Sequence, residues 1–358
     1  MTHLCSRVEK FIADPNSAPS AFETLARDVF EFQFHHNAPY GAFCESRGIT
    51  PDRLESLDDI PAIITTAFKD LELTSIPLSD RTAVFHSSGT TQHRPSRHFH
   101  SDATLRLYEK SLTHWFQPNI VPGLAHVNFL FLSPRASEAP HSSLVHMFET
   151  LAKTFGASEP HFCATTAPDG GWSLTSDRVL AAQTILRSER IPTVICGTAF
   201  SFVELCDFLS TNNRSLIFPP GSRIFETGGY KGRSRVLPKH LLREMISRFL
   251  SIPETHIIGE YGMSEVSSQA YDRQPGQITE RLYHFPPWAR AIVISPETGR
   301  PVADGETGLL RILDLANVGS VMAIQTEDLA RRQGNAFELL GRASLAEARG
   351  CSLLHANS

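Results

Sequence analysis

The stretch Val84-Phe85-His86-Ser87-Ser88-Gly89-Thr90-Thr91 decides how the rest of the chain is interpreted. An apolar, strand-like run ends here at small, mostly hydroxylated residues. Small residues leave backbone N–H groups open and hydroxyls add donors, so Ser87, Ser88, Gly89, Thr90 and Thr91 are suited to wrapping a phosphate. The glycine spacing and the lysine of the GK[ST] phosphate loop are missing. Taken alone, such a cluster is more often a plain loop.

Two arginines follow this stretch. Arg94 and Arg97 lie close enough in sequence to offset the charge of a polyphosphate. Either one is a candidate for the cation that a lysine supplies in other phosphate loops.

Composition describes a globular protein. The chain has 358 residues, of which 41% are hydrophobic and 20% charged, enough for a sizeable core in one large or two medium domains. The net charge of −5 provides no general attraction to nucleic acid or to an anionic membrane. We find no secretory signal and no membrane span in the sequence.

The six cysteines are scattered and form no CxxC pair, which argues against a zinc site. Together with the missing signal peptide, this predicts a cytoplasmic protein with reduced thiols. Cys163, Cys196 and Cys206 stand in apolar surroundings typical of a core.

Alternating strands and helices predict an α/β fold with a large, mainly parallel sheet. We expect residues 1–80 to form a helical lead-in packed on the main body, with a turn at 37–41. Residues 81–284 are expected to form the α/β core. Residues 285–358 are expected to form a small β-rich subdomain that ends in a tail.

Three further segments follow predicted strands, where ligands bind in parallel sheets. Residues 225–230 turn sharply without side-chain bulk, so a flat ring fits against their backbone. Residues 260–265 provide an aromatic ring, a hydroxyl and a carboxylate, and residues 325–330 provide an acid able to accept hydrogen bonds from a ribose diol. Together with the first stretch, these are the parts of an ATP site.

The order of motifs resembles the adenylate-forming, acyl-activating superfamily. The motifs are SSGTT (87–91), ETGGYKGR (226–233), EYGMSE (260–265), TEDLAR (326–331) and GR (341–342). Two longer segments, EYGMSEVSSQAYD and the closing RGCSLL, resemble the corresponding sequences of the acyl-protein synthetases of the bacterial bioluminescence fatty-acid reductase complex. The resemblance covers residues from about 80 to the end.

The resemblance implies a role for each matching residue. Ser87 to Thr91, with Arg97, would hold the β- and γ-phosphates of ATP. Ser264 would contact the α-phosphate, Glu265 would ligate Mg²⁺, and Asp328 and Arg342 would lie at the ribose. The adenine would be lined and stacked by Gly228, Gly229, Tyr230, Tyr261, Gly262 and Met263.

Several of these residues have a simpler alternative explanation. Tyr261 is also compatible with a core aromatic, Glu265 with an acid in a first helical turn, and Asp328 with a turn cap. Lys231 and Arg233 are more typical of solvated loop charges. The joint occurrence of the motifs in order favours the site role for Tyr261, Ser264, Glu265 and Asp328.

The sequence also departs from the superfamily. Gly, Pro and Lys do not follow the phosphate loop, and Ser344 stands where an Asp is usual at the hinge. Because the chain ends shortly after that hinge, we expect the mobile C-terminal lid domain to be absent. The acyl tunnel is not assigned: residues 141–144 either face the carboxylate or cap a helix.

Cys351 matches the cysteine that accepts the acyl group in acyl-protein synthetases, and Arg349 next to it would favour the thiolate. The alternative is an incidental cysteine in a tail. The resemblance thus implies activation of a carboxylic acid, expected to be a long-chain fatty acid, and delivery to a partner acyl reductase. The competing hypotheses are an aryl- or acyl-CoA ligase of the phenylacetate type and a non-catalytic scaffold for the reductase.

Overall fold

A six-stranded, mainly parallel sheet runs through the middle of the chain. The computed structural model describes residues 1–14, 19–87, 94–167, 171–229 and 235–343. The strands in these ranges are β1 (Ile63–Ile64), β2 (Ala83–His86), β3 (Arg97–His100), β4 (Asn128–Phe131), β5 (His161–Phe162), β6 (Ala164–Thr166), β7 (Trp172–Leu174), β8 (Thr193–Thr198), β9 (Arg223–Thr227), β10 (Ile257–Tyr261), β11 (Ala270–Tyr271), β12 (Ala289–Ile294), β13 (Thr307–Asp314), β14 (Ala323–Gln333) and β15 (Ala336–Arg342). The central sheet has the order β11-β10-β9-β8-β4-β5, in which only β11 is antiparallel.

Helices cover both faces of this sheet. The described helices are α1 (Thr2–Ala13), α2 (Pro19–His36), α3 (Ala38–Ser46), α4 (Ala67–Asp70), α5 (Asp102–Ile120), α6 (Ser143–Phe155), α7 (Ser176–Glu189), α8 (Ala199–Thr211) and α9 (Lys239–Leu250). Apolar residues of α5 and α6 pack on one face, and those of α7, α8 and α9 pack on the other. The α/β class expected from the strand–helix alternation is confirmed. No helix among the described residues is long and apolar enough to cross a membrane.

A second, smaller sheet forms from the last strands. β12, β13, β14 and β15 pair antiparallel, as the sequence predicts, but β1 adds a parallel edge on β14. The helices before residue 80 share one hydrophobic cluster with this sheet. The lead-in is therefore packed against the small sheet, and it contributes a strand to it.

The predicted turn at 37–41 is wrong. Asn37 is the N-cap of α3, its side chain accepts a hydrogen bond from the N–H of Tyr40, and Pro39 stands at the start of the helix. The Asn-Ala-Pro signal marks a helix start as well as a turn, because a proline lacking an N–H is tolerated in the first helical turn. The ring of Tyr40 is buried, which holds the helix in the core.

Candidate active site

The predicted phosphate loop is placed by a short hairpin. β2 and β3 pair antiparallel, with His86 opposite Arg97, and the stem closes where the N–H of Ser96 donates to Ser87 Oγ at 3.0 Å. Ser88, Gly89, Thr90 and Thr91 lie outside the described residues. The hydroxyl of Ser87 thus serves the stem, at the base of the loop that the sequence predicts to hold phosphate.

Arg97 lies on this stem, and only part of its guanidinium group interacts with other described residues. Its guanidinium lies 3.7 Å from Glu72 and over the ring of Phe99, and its Nε is buried without a hydrogen-bond partner among the described residues. Arg94 is exposed beside it. Because Arg97 has a donor without a partner in the structure, it remains a candidate for contact with an anion at the loop.

Ser264 lies where the hairpin, α6 and the loop after β10 meet. Its hydroxyl donates to the carbonyl of His86 at 3.3 Å and lies 3.3 Å from the hydroxyl of Ser143 at the start of α6. Ser142, not Ser143, caps that helix through the N–H of Val145. Two hydroxyls therefore meet at the carboxyl end of the sheet, in the position where the sequence predicts the α-phosphate.

Glu265 is a buried carboxylate next to this pair. Its Oε1 accepts a hydrogen bond from Ser96 Oγ at 2.5 Å. Burial raises the pKa of Glu265, and the hydrogen bond from Ser96 opposes that rise. The described residues contain no cluster of three or more His, Cys, Asp or Glu side chains able to hold a metal by themselves.

Two buried side chains form hydrogen bonds to the backbone carbonyls of Ser264 and Glu265. His98 Nδ1 lies 2.6 Å from the carbonyl of Ser264, and Asn317 Nδ2 donates to the carbonyl of Glu265 at 2.9 Å. Burial lowers the pKa of His98 to about 4. The hydrogen bonds of His98 to the Ser264 carbonyl and to Asn317 Oδ1 act against this shift. His98 and Asn317 together fix the backbone of Ser264 and Glu265.

Tyr261 and Asp328, 67 positions apart, are brought into direct contact. The Tyr261 hydroxyl donates to Asp328 Oδ2 at 2.8 Å, and Arg342 Nε lies 3.7 Å from Asp328 Oδ1. The Tyr261 ring is 7% exposed, with Tyr283, Phe285 and Phe337 packed edge-on around it. Burial raises the pKa of Asp328, whereas the Tyr261 hydrogen bond and the Arg342 charge act against the rise.

Gly228 and Gly229 form an open bend after β9. Gly228 has a φ of +66°, a conformation that disfavours other residues, and a Cβ at either position would meet nothing within 4 Å. No atom of the described residues therefore fills the space beside these glycines, as a flat ring lying on the backbone would require. Gly262 and Met263 complete the loop between Tyr261 and Ser264, and Tyr230 and Cys351 lie outside the described residues.

The sequence reasoning missed Ser96, His98 and Asn317. In β3 and the residue before it, Ser96, His98 and His100 are buried while the residues between them are partly exposed. That alternation is visible only in the structure, because Phe99, the one apolar residue of the five, lies on the partly exposed side. Asn317 lies in an irregular loop between β13 and β14, where no local sequence pattern predicts a role in the site.

Comparison with known proteins points to one family. The sequence profile of the family described as "Acyl-protein synthetase, LuxE" matches residues 16–357. A long-chain-fatty-acid–luciferin-component ligase of Aliivibrio fischeri is 22% identical over 94% of this chain and 88% of its own length, and one of Vibrio harveyi is 21% identical over 92% and 85%.

Solved structures show the same fold at lower identity. A 2-hydroxyisobutyryl-CoA ligase with its acyl-AMP has a TM-score of 0.68 at 14% identity, over 91% of this chain and 68% of its own. The ATP-bound MatB of Rhodopseudomonas palustris has a TM-score of 0.50 at 15% identity, over 75% and 49%. At such identities, the likeness supports the fold alone.

Proposed function

Because the chain belongs to the acyl-protein synthetase family, whose members are ligases, we propose that it activates a carboxylic acid as acyl-AMP and then loads the acyl group onto Cys351. The acid expected from the named relatives is a long-chain fatty acid, and the loaded chain would serve a partner acyl reductase. The observation that carries the adenylation step is the contact between Tyr261 and Asp328 beside the Ser264–Glu265 turn.

These residues divide the work on the nucleotide. The Tyr261 hydroxyl orients the Asp328 carboxylate through Oδ2, which leaves Oδ1 to accept from the ribose, and Arg342 lies 3.7 Å from that second oxygen. The Gly228–Gly229 bend offers a backbone surface for the base. Ser264 and Ser143 would direct hydroxyls at the α-phosphate, where the reaction occurs.

The donor set around Glu265 fits Mg²⁺ that arrives with ATP. A single carboxylate with neighbouring hydroxyls is a hard-oxygen environment, and Mg²⁺ is often held by one or two carboxylates plus substrate phosphates. Glu265 would hold the ion, and Mg²⁺, when bound, neutralises charge on the phosphate oxygens. Ser96 orients the carboxylate for this task.

The two steps balance as follows. A carboxylate oxygen of the acid attacks the α-phosphorus, an O–P bond forms, and pyrophosphate leaves with the electrons of the broken P–O bond. The Cys351 thiolate then attacks the acyl carbon, a C–S bond forms, and AMP leaves with the former carboxylate oxygen. The thiol proton is lost to solvent, and the thioester retains much of the activation.

The other five cysteines are poor candidates for the acyl acceptor. All five are buried. Burial raises the pKa of Cys5 and Cys44 to about 11 and that of Cys163 and Cys206 to about 12, and it raises the pKa of Cys196 well above its usual range. Because the thiolate is the nucleophile, these side chains are disfavoured both by access and by protonation. Cys351 is the sixth cysteine of the sequence.

Two assays test the proposal separately. Acid-dependent exchange of pyrophosphate into ATP, measured with acids of graded chain length, reports adenylation. Hydroxylamine-labile labelling by radioactive acid reports the thioester. Cys351→Ser should retain exchange and lose the label, whereas Cys163→Ala, the matched control, should keep both.

The possible outcomes separate the competing hypotheses. Label that persists on Cys351→Ser removes that residue from the mechanism. Thioester formation on coenzyme A without protein label would identify an acyl-CoA ligase, and absence of exchange with every acid would contradict the enzymatic proposal.

A further inference from the structure

Glu260 is a buried acid that the adenylation chemistry above does not use. It stands next to last in β10, where it is 7% exposed. The strand register places it opposite Thr227 of β9 and Tyr271 of β11. Laterally paired residues point to the same face of a sheet, so the three side chains share one face. The Thr227 hydroxyl donates directly to Glu260 Oε2.

Among the described residues, no Lys, Arg or His side chain forms a salt bridge with the Glu260 carboxylate. The charge that acts on Glu260 is that of Glu226, a second acid, and burial together with this charge raises the pKa of Glu260 to about 7. By contrast, the buried carboxylate of Asp272, one residue beyond Tyr271, pairs with Arg243 at 3.1 Å and with Arg281 at 2.8 Å. A buried carboxylate without a countercharge is costly.

The Glu260 carboxyl lies directly beneath the loop that carries Tyr261, Ser264 and Glu265. A Cβ built on Gly262 would overlap Glu260 Oε1, so the absence of a side chain at Gly262 is what admits the acid there. The carboxyl group therefore lies against Gly262, which is two residues along the chain from Ser264, where the acyl carboxylate would meet the α-phosphate.

Further polar groups lie on the same side. The hydroxyl of Tyr108, on α5, donates to the carbonyl of Ser143 at 3.4 Å. The hydroxyl of Tyr271 is buried and has no hydrogen-bond partner among the described residues. Burial raises the pKa of Tyr271, and the nearby acid of Glu260 raises it further. A hydroxyl without a hydrogen-bond partner and a carboxyl group hydrogen-bonded to Thr227 but paired with no cation among the described residues thus share one face of the sheet next to the candidate active site.

We propose that Glu260, Thr227 and Tyr271 form a subsite for a hydrogen-bonding group on the acyl chain of the substrate, close to its carboxyl end. This inference rests on the proposed function and specifies its substrate class. The acid would carry a donor such as a hydroxyl or an amino group. An unsubstituted alkyl chain would leave the Tyr271 hydroxyl without a partner and the Glu260 carboxyl group with Thr227 alone. Sites that hydrogen-bond a substrate group discriminate strongly against analogues lacking it.

The test compares matched acids in the pyrophosphate-exchange assay. Each unsubstituted alkanoic acid is paired with its hydroxy and amino analogues of equal chain length, substituted at the second or third carbon. Wild-type protein should prefer a substituted acid by about tenfold or more in kcat/KM. Glu260→Leu should lower kcat/KM for that acid and leave or raise it for the alkanoic acid, so that the preference is lost.

Two measurements keep a folding defect apart from a change of specificity. Glu204→Gln is the matched control, because Glu204 is another partly buried carboxyl whose pKa burial raises, and it lies on α8 against the opposite face of the sheet. This variant should keep the wild-type preference. ATP affinity, measured by calorimetry, should be unchanged in Glu260→Leu.

The results that would overturn the inference are distinct. If wild-type protein uses alkanoic acids as well as the substituted ones, or if Glu260→Leu lowers both by one common factor, the subsite is refuted while adenylation stands. If no acid supports exchange in the wild-type protein, the proposed function fails and the subsite fails with it.

Discussion

The Asn317 side chain connects the candidate active site to other parts of the fold by hydrogen bonds. Its removal should therefore lower both the stability of the protein and its affinity for the nucleotide. The side chain is 1% exposed. Its Nδ2 donates to the carbonyl of Glu265 at 2.9 Å and to that of Val321 at 2.7 Å, and its Oδ1 lies 3.0 Å from His98 Nε2. Its own carbonyl accepts from Gln33 of α2 at 2.8 Å. Asn317 therefore connects the first helices, the hairpin and the loop of Glu265.

The cost of Asn317→Ala follows from the groups it leaves behind. Two buried backbone carbonyls lose their donor, and each unsatisfied buried group costs about 1–3 kcal/mol. Since the surrounding loop can relax, we expect a loss of about 3 kcal/mol in the free energy of unfolding. The Glu265 peptide also loses a support, so KM for MgATP should rise more than kcat falls.

Urea unfolding followed by fluorescence, together with steady-state exchange kinetics, measures both effects. Asn212→Ala is the control: its side chain donates to Phe208 at the exposed end of α8, and its loss should change stability by less than about 0.5 kcal/mol. A loss below about 1 kcal/mol in Asn317→Ala, with unchanged KM, would refute the positioning argument.

Three further predictions concern individual residues. Glu265→Gln replaces a charged ligand by a neutral amide of the same size, so the apparent affinity for Mg²⁺ in the exchange assay should fall while the thermal midpoint is retained; unchanged Mg²⁺ dependence would remove Glu265 from the site. Gly229→Val adds a side chain where no described residue lies within 4 Å, so stability should be unchanged while KM for ATP rises several-fold if the base lies on that backbone; an unaltered KM would move the adenine elsewhere. Because the pKa of Glu260 is raised from 4.5 to about 7 in the folded protein, the native state binds the extra proton, and the stability that this contributes is present below the lower value and lost as pH rises through the upper one. Wild-type protein should therefore lose up to roughly 3 kcal/mol relative to Glu260→Gln between about pH 5 and 8, and parallel pH profiles in urea unfolding would contradict this.

Much of the fold is predictable from local sequence patterns. The near-continuous apolar run around Phe129 and the alternation of strands with capped helices were sufficient for a parallel α/β sheet, because buried parallel strands leave that pattern. The pairing of β1 with β14 was not predictable in this way. β1 has two residues, and its partner lies about 260 positions away, so only tertiary packing selects it.

In the candidate site, too, residues in local motifs are predictable from sequence, whereas residues defined by long-range contacts are not. Tyr261 and Asp328 are predicted from their motifs, and the structure brings them into contact although Tyr261 ends β10 and Asp328 lies in the middle of β14. Asn317 and Glu260 act through long-range contacts: one is a loop amide, and the other is distinguished by a missing countercharge. A missing partner leaves no trace in sequence, so only the folded arrangement reveals it.

The most direct test of acyl-AMP formation is the fate of a carboxylate oxygen. Purified protein would be incubated with MgATP and an acid whose carboxylate carries ¹⁸O in both positions, and the nucleotide products would be analysed by mass spectrometry. Formation and cleavage of an acyl-adenylate predicts AMP, not ADP, with one ¹⁸O transferred to its phosphate for each acyl group activated. Release of ADP, or of AMP without ¹⁸O, would contradict the proposal that this protein joins the acid to the α-phosphate.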